Sequence, residues 1–281
     1  MAGTDHAPRP AWYLDASKLF CSFVTIAISL YAVLYQTLAI RLPAAHLGSV
    51  HSFEMPHFAT KTTRRRDERS GMLELDLHHE VGEGIDVRMM QWWYERSSGL
   101  EIEYAGQRFP AYQFNHPYDA LGVRASREAS PGAACKPGAA LEFTDSWGWL
   151  EHRMHFARRS QAVVWVLGKE LEWFVVGYTY EVWGLSMARI KHTFLPTANG
   201  TRLHTHVWIG LASNDLRARL FNRWLLPWWF GQRSVEAWCQ NMAETFGFQQ
   251  RFVPPIYAAA IEMDARAPML VHLGHPSAPT E

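Results

Sequence analysis

Two alternating segments joined by a short turn constrain the fold of this chain more than any other feature. In residues 188–211, ARIKHTFLPTANGTRLHTHVWIGL, polar and apolar side chains alternate on both sides of a turn at Pro196–Gly200. Period-two alternation is typical of strands with one buried face, and such a turn predicts an antiparallel hairpin. Residues 73–78, 99–106 and 162–184 have a similar β-type pattern. The sequence therefore predicts an antiparallel sheet.

The C-terminal third has helical rather than strand periodicity. Asp215 is a good N-cap for a helix over residues 216–226, LRARLFNRWLL, which we expect Pro227 to end. A second helix is predicted at about residues 233–246, with an apolar stripe of Val235, Trp238, Cys239, Met242 and Phe246. Strands followed by a closing helix predict an α+β helix-grip fold of the Bet v 1/START type. Its curved antiparallel sheet is closed by a long C-terminal helix over a cavity.

Residues 19–40 form an uncharged run of about 22 residues, long enough for a transmembrane helix. A signal peptide has a shorter apolar region, and a buried amphipathic helix is an alternative, but we favour a single membrane anchor. The basic residues at 61–66 then predict a single-pass protein with a cytosolic C-terminal domain. The predicted organisation is a tail (1–18), the anchor (19–40), a juxtamembrane linker (41–71), a helix-grip domain (72–258) and a C-terminal tail (259–281).

Composition narrows the class of ligand. Lys plus Arg and Asp plus Glu both number 27, and the only basic run is Arg64–Arg66, so nucleic acid is not expected as a partner. The 3 cysteines are too few for a disulfide framework or a cysteine-based zinc site. The 13 Trp, 15 Phe and 10 Tyr suit a packed core together with the walls of a pocket for a hydrophobic small molecule.

The segment NRWLLPWWFGQR, residues 222–233, concentrates this aromatic content. Trp224, Trp228, Trp229 and Phe230 lie between Arg223 and Arg233. Such a cluster suits the headgroup region of a bilayer, a lid over an apolar cavity, or ordinary core packing at a helix break. The sequence leaves these three interpretations open.

Three sequence patches occur in a recognisable order. The first joins Met89–Tyr94 (MMQWWY) to Tyr112–Asp119 (YQFNHPYD), the second is the hairpin at Lys191–Gly210, and the third joins Gln240–Glu244 to Phe252–Tyr257 (FVPPIY). Together, over residues 72–257, they resemble the diacetylphloroglucinol hydrolase family, which includes phloretin hydrolases. The resemblance implies a helix-grip protein that hydrolyses a C–C bond between an acyl group and an electron-rich ring.

The resemblance also implies a zinc ion held by two His and two Glu. At the matching positions of this sequence the Glu residues are present as Glu151 and Glu244, whereas the His positions hold Ala120 and Gln240. Alanine has no ligand atom, and an amide is a poor substitute for imidazole at zinc. Gln240 and Glu244 share the helix face opposite the apolar stripe, and this face either lines the pocket or is solvated.

We therefore predict no metal cofactor, with zinc as the alternative. Its ligands would be Glu151, Glu244 and His116. An extended segment separates positions 116 and 120 by about 13 Å, so His116 could replace the missing ligand only if the chain bends at Pro117. Other spare imidazoles are His152, His204 and His206; the last two share a strand face, where histidines are more often solvated or packed than ligated.

Three functions remain open. The first is a metal-independent enzyme of specialised polyketide or terpenoid metabolism, such as a cyclase or a Diels–Alderase-like pericyclase, which orients a hydrophobic substrate in an aromatic cavity. The second is a zinc-dependent C–C hydrolase, and the third is a non-catalytic metabolite carrier. The predicted catalytic residues are His192, Glu151, Glu244 and Tyr112, where Tyr112 and His192 match a pocket tyrosine and a substrate-facing histidine of the family. The predicted substrate-binding residues are His116, Trp93, Gln240 and Trp238.

Overall fold

The computed structural model describes residues 47–125, 136–146, 157–170, 173–182, 185–213, 215–262 and 270–273. The chain divides into two units, Met1–Ile40 and Arg41–Glu281, and every described residue belongs to the second. The predicted anchor at 19–40 therefore lies outside the described residues. Among the helices of the described ranges, none is long and apolar enough to cross a membrane.

Eight strands form the main sheet in the order β1-β2-β10-β9-β8-β7-β6-β5, and every neighbouring pair is antiparallel. Four of these pairings contain a register shift, which is the type of irregularity that bends and twists a sheet. The strands are β1 (Thr60–Arg66), β2 (Leu73–Glu83), β5 (Ala120–Ala125), β6 (Ala140–Ser146), β7 (Ala157–Glu170), β8 (Trp173–Val182), β9 (Leu185–Thr197) and β10 (Gly200–Ile209).

The predicted hairpin is confirmed as β9 and β10. Thr201 pairs with Pro196 next to the turn, and the two strands stay in register to the pair formed by Ile209 and Ala188. Gly200 has a φ of +155°, and a Cβ there would lie 2.0 Å from the carbonyl oxygen of Gly82 on β2. Only glycine fits at this point, where the hairpin turn meets the neighbouring strand.

The long helix that closes the sheet is also confirmed, but it is twice the predicted length. Its limits are Gln232–Glu262 rather than about 233–246, and it contains Pro254 and Pro255. Buried residues continue to the last turns of this helix, including Phe252, Val253 and Ile256. Tertiary packing of these side chains therefore extends the helix past prolines that destabilise an isolated one.

The helix predicted to end at Pro227 instead continues past that residue. Short helices α3 (Leu216–Leu220) and α4 (Leu226–Trp229) flank a π-helical turn at Phe221–Leu225. Pro227 is the second residue of α4, directly after the π turn, where the regular α-helical bonding pattern restarts. Buried Asn222 fixes the π turn, since its amide donates to the carbonyls of Ser70 and Leu211, both at 2.9 Å.

The domain also includes residues that we assigned to a linker and a tail. Helix α1 (Leu47–Val50) and strand β1 lie within the predicted linker, 41–71. Strand β1, TKTTRRR, is an exposed edge strand, so it lacks the apolar alternation that would have indicated it. Within the predicted tail, 259–281, strand β11 (Leu270–Leu273) pairs in parallel with β3 (Glu101–Tyr104), which also pairs with β4 (Gln107–Pro110).

Two remaining helical elements complete the frame around the interior. Helix α2 (Val87–Arg96) begins at Asp86, whose carboxylate accepts a hydrogen bond from the backbone N–H of Met89 at 2.9 Å. A single 3₁₀ turn covers Ala111–Phe114, and the long closing helix Gln232–Glu262 is α5 in chain order. Apolar residues of α2 and α5 pack against the inner faces of β8 to β10, so the cavity described next lies between sheet and helices.

Candidate functional site

A cavity of about 110 Å³ lies between the main sheet and helices α2 and α5. Its walls are mostly aromatic or aliphatic, which is typical of small-molecule sites. The strands contribute side chains from alternate positions, and α5 contributes one face. The aromatic residues of the wall are Trp93, Tyr94, Tyr112, Phe143, Tyr178, Tyr180, Trp238 and Phe246.

His192 on β9 is one of two buried imidazoles in the cavity wall, the other being His116. Its Nδ1 lies 2.9 Å from Oγ1 of Thr205 on the neighbouring strand. The rings of Tyr94 and Tyr178 flank it at 6.4 and 6.3 Å between centroids. Burial lowers the pKa of His192 to about 4, so the ring is neutral at physiological pH. Its Nε2 makes no hydrogen bond to any described residue and remains available to a ligand.

A chain of hydrogen-bonding groups connects His192 to the edge of the sheet. Thr205 Oγ1 lies 3.5 Å from Nε2 of His79, and Nδ1 of His79 lies 2.9 Å from Oγ1 of half-buried Thr60. Burial, with smaller contributions from neighbouring histidines, lowers the pKa of His79 to about 3. The two neutral imidazoles and two hydroxyls can each both donate and accept a hydrogen bond, so the chain can be polarised in either direction.

His116 occupies a tight turn immediately before β5. The backbone N–H of Ala120 donates to the carbonyl of His116 at 2.8 Å, so the chain bends at Pro117 and is not extended here. The backbone N–H of Asp119 donates to Nδ1 of His116 at 3.1 Å. Because Nδ1 accepts, the ring proton of the neutral form lies on Nε2, which donates to Oε2 of Glu244 on α5 at 3.0 Å.

Buried amides hold this turn against the helices. The side chain of Asn115 accepts hydrogen bonds from Trp93 Nε1 on α2 and from Gln249 Nε2 on α5, both at 2.7 Å. Asn241 on α5 donates to Oδ2 of Asp119 at 2.7 Å. The segment 115–119 is therefore fixed to both helices, and its polar atoms are paired as burial requires.

The structure brings together residues that the sequence separates widely. Tyr112, His116, Trp93, Trp238 and His192 all line the cavity. Glu244 does not line it but contacts His116, with its other oxygen accepting from Gln240 at 2.8 Å. The prediction that Gln240 contacts the substrate is corrected, because its side chain is exposed on the outer face of α5. Glu151 lies outside the described residues.

Several polar residues of the cavity wall were missed in the sequence analysis. On α5 they are Asn241, Thr245 and Gln249, which recur at intervals of four and all line the cavity. Polar residues at this interval, within a helix otherwise rich in aromatic residues, were the available signal. Asn115 and Asp119 flank the predicted His116, but only the turn shows that both side chains are buried.

Among the described residues, those at the positions that match the family's zinc site give an incomplete donor set, and Glu151 lies outside the described residues. Near Glu244 the described part of the chain offers one imidazole, His116, and one further carboxylate, Asp119, whose Oδ2 lies 3.8 Å from His116 Nε2. The bend at Pro117 has brought His116 to Glu244, as the zinc alternative required. Even so, one imidazole and two carboxylates do not reproduce two His and two Glu, because Ala120 supplies no donor and Gln240 faces outward.

The tryptophan-rich segment contributes its outer side chains to the surface. Trp224 and Trp228 are 74% and 75% exposed, so they neither close the cavity nor pack in the core. Leu216 and Leu220 precede them at the same interval of four and are also exposed. An exposed apolar stripe of this length is unusual on a soluble surface and indicates an interaction site.

No protein-family model matches this chain, and no curated protein sequence matches it. The hydrolase family therefore gains no support from these comparisons. Solved structures that align with it include Ara h 8.0201 (7% identity, 70% of this chain and 97% of the other, TM-score 0.38), protein Ms6760 from Mycobacterium smegmatis (11%, 74% and 99%, 0.36) and a norcoclaurine synthase point mutant from Thalictrum (9%, 69% and 98%, 0.33). With TM-scores below 0.5, these similarities do not define the fold, which rests on the sheet and helices described above.

Proposed function

We propose that this protein is a metal-independent enzyme of specialised metabolism that binds a hydrophobic polyketide or terpenoid substrate and cyclises it by proton transfer. The observation that carries this proposal is His192, a neutral imidazole in an aromatic wall with Nδ1 held by Thr205 and Nε2 unengaged. A neutral imidazole fixed at one nitrogen is arranged to act as a base at the other.

The chemistry balances within one substrate molecule. In the tautomer whose Nδ1–H donates to Thr205 Oγ1, Nε2 of His192 accepts a proton from a hydroxyl or from a carbon next to a carbonyl. The electron pair left on the substrate attacks a carbonyl or conjugated double bond of the same molecule and forms the new ring bond. The π bond that is attacked breaks, and the atom that receives its electrons takes the proton back from the imidazolium. Burial makes this imidazole a weak base, so the step requires an acidic substrate proton, and the imidazolium returns that proton readily. Tyr112 is the phenol we assign to the substrate's oxygen, since it lines the same cavity.

The size of the cavity limits how much substrate it encloses. Its volume of about 110 Å³ is smaller than the roughly 300–1,000 Å³ of common ligand pockets and closer to the roughly 150 Å³ of a cavity that holds benzene. We infer that one ring or a short acyl chain lies beside His192. The rest of a larger substrate would extend beyond the described wall.

Metabolite profiling in a host that makes candidate polyketide or terpenoid intermediates tests this proposal. Wild-type protein is expected to convert one intermediate into a product of the same mass, and His192→Phe to lower that conversion by about 100-fold or more. The matched control is the same substitution at His51. Its ring packs against that of Tyr104 at 5.0 Å between centroids, and His51 does not line the cavity. Equal conversion by wild type and His192→Phe would refute the catalytic role and leave the carrier hypothesis.

The zinc-dependent C–C hydrolase is the second candidate because His116 and Glu244 meet at 3.0 Å. A hydrolase adds water, so its products are two smaller molecules, whereas a cyclase product keeps the mass of the substrate. Chelation of metal from purified protein is expected to leave conversion unchanged. Loss of conversion on chelation, restored by zinc and abolished in His116→Gln, would favour the hydrolase.

We also propose that the protein works at a membrane surface. Support comes from the exposed stripe Leu216, Leu220, Trp224 and Trp228, with exposed Arg217, Arg219 and Arg223 beside it. Tryptophan at the headgroup level and arginine facing anionic lipid are a favourable combination at a bilayer. The anchor at 19–40, with the domain on the cytosolic side, remains part of this proposal.

Sedimentation with vesicles of phosphatidylcholine and phosphatidylserine tests the membrane contact on a chain lacking residues 1–40, which belong to a separate unit. Trp224→Ser/Trp228→Ser is expected to reduce the bound fraction at least fivefold, because two large apolar side chains no longer insert. Trp173→Ser is the control, since Trp173 is exposed on β8, away from the stripe. Equal binding by all three proteins would show that the stripe does not contact lipid.

A further inference from the structure

The outer face of strands β2 and β10 carries a compact group of metal-binding side chains, separate from the cavity. His204 on β10 pairs directly with His78 on β2, and His206 pairs directly with Asp76. Directly paired residues have Cβ atoms about 5 Å apart, and alternate residues of a strand lie about 7 Å apart on one face. Four side chains with ligand atoms thus occupy the corners of one small rectangle.

The side chains already converge across this rectangle. One ligand atom from each of Asp76, His78 and His204 lies within 4.8 Å of the other two. Oδ1 of Asp76 accepts a short hydrogen bond from Nε2 of His204. The fourth corner, His206, lies 6.5 Å from His204 between ring centroids and stacks on Trp208 at 4.0 Å.

From this geometry we propose that Asp76, His78, His204 and His206 form a binding site for a divalent transition metal, with Zn²⁺ as the expected ion. A donor set of imidazole nitrogens and a carboxylate oxygen binds zinc, copper and nickel in preference to calcium or magnesium. Four donors also match the tetrahedral coordination of zinc in closed protein sites.

Only a small movement is needed for ligation. The rings of His78 and His204 stack at 4.3 Å with an angle of 10° between their planes, so one ion cannot lie in both planes at once. His78 is exposed and can rotate about its side-chain bonds without displacing core residues. The hydrogen bond between Asp76 and His204 would be replaced by two bonds to the metal.

The position of the site gives the metal a structural consequence for the interior. His79 follows His78, and Thr205 follows His204, so both residues of the hydrogen-bonded chain point inward from ligand-bearing positions. A metal that ties β2 to β10 would fix the 3.5 Å contact between Thr205 and His79. This consequence does not depend on the reaction proposed for the cavity.

Isothermal titration of the full chain with ZnCl₂ tests the site. We expect wild type to bind one equivalent of Zn²⁺ that the double variant His78→Gln/His204→Gln does not bind. Asp76→Asn is expected to bind that equivalent about 100-fold more weakly or worse, since loss of even an outer-shell partner costs about 10–100-fold in metal affinity. His57→Gln is the control, because His57 is exposed and outside the group. Bound Co²⁺ is expected to show the intense visible absorption of a four-coordinate site in wild type only.

Identical zinc stoichiometry and affinity in wild type and the double variant would overturn the proposal. Circular dichroism without metal checks that the variants fold. If the double variant does not fold, Asp76→Asn serves as the test, because asparagine keeps the shape of the aspartate side chain. An equivalent that persists in the double variant but disappears in His116→Gln would overturn this site and place the metal at Glu244 instead. Metal-independent conversion of substrate by the double variant leaves the proposed function of the cavity untouched.

Discussion

Strands β2, β9 and β10 carry two sets of histidines on opposite faces of the main sheet, and the two sets differ in burial and in partners. His79 points inward and is buried, whereas its neighbour His78 is exposed. The inward set, His79 and His192, is held in neutral form by burial and has fixed partners. The outward set pairs with Asp76 in solvent. A shift of one position along a strand therefore decides whether an imidazole is buried and neutral or exposed beside a carboxylate.

The largest effect is expected from removing a buried hydrogen-bond acceptor, the side chain of Asn115. Asn115→Leu leaves the buried N–H groups of Trp93 and Gln249 without an acceptor, and each unsatisfied group costs about 1–3 kcal/mol. We expect the free energy of unfolding to fall by about 3 kcal/mol in urea denaturation. A loss below about 1 kcal/mol would mean that the turn at 115–119 is not fixed by these bonds.

The second largest effect is expected from acidification, which lowers the free energy of unfolding through buried His192 on the inner face. The pKa of His192 is about 4 in the folded state, below its ordinary value of 6.5. Above pH 6.5 both states are neutral, but between pH 6.5 and 4 only the unfolded chain takes up the proton, so stability falls as the pH falls. Between pH 7 and pH 5 the expected loss from this group is about 2 kcal/mol. His192→Phe should flatten the dependence by that amount, and parallel curves for the two proteins would contradict it.

A smaller effect is expected from one hydroxyl on the inner face. Thr205→Val removes the partner of His192 Nδ1 and the contact with His79, with an expected loss of about 1.5 kcal/mol. Thr193→Val is the matched control, because Thr193 on β9 is only partly buried and pairs with His204. Its expected change is within about 0.5 kcal/mol. Equal losses at 205 and 193 would show that the inner hydrogen bonds add nothing.

The smallest effect is expected on the outer face without metal. His204→Gln removes a partly exposed hydrogen bond to Asp76, and such surface pairs contribute at most about 1 kcal/mol. We expect its melting temperature in chelator to stay within about 2 °C of wild type. In excess Zn²⁺ the wild type alone is expected to melt higher, because metal bound only to the folded state stabilises it. A large loss in chelator would instead give His204 a packing role.

The fold was predicted better than the site. Alternation at 188–211 located the hairpin, which extends from 185 to 209, to within three residues, because alternation depends only on which face of the strand each side chain occupies. Edge strand β1 and the second half of α5 were missed, since TKTTRRR has no buried face and prolines at 254 and 255 are typical of a helix end. Their stability comes from pairing with β2 and from packing on distant aromatic residues.

For the site, sequence identified His116, His192, Tyr112, Trp93 and Trp238 at the cavity but could not orient α5 around its axis. The stripe containing Trp238 and Met242 faces the cavity, so Gln240, on the opposite side, faces solvent. Both faces of α5 carry polar residues at helical spacing. Periodicity alone therefore does not show which face lines the cavity and which faces solvent. The exposure of Trp224 and Trp228 was equally undecided until the neighbours of α3 and α4 were known.

The order of residue types along this chain determined its β9–β10 hairpin, the first half of its closing helix and the presence of Ala120 and Gln240 where the family that it resembles has histidines. Each of these depends on neighbours a few residues apart. Only the tertiary structure decided that His116 meets Glu244, that Thr205 joins His192 to His79, and that His78 faces His204. Such contacts join residues far apart in sequence, and their distances follow from strand register and helix rotation, which no local pattern encodes.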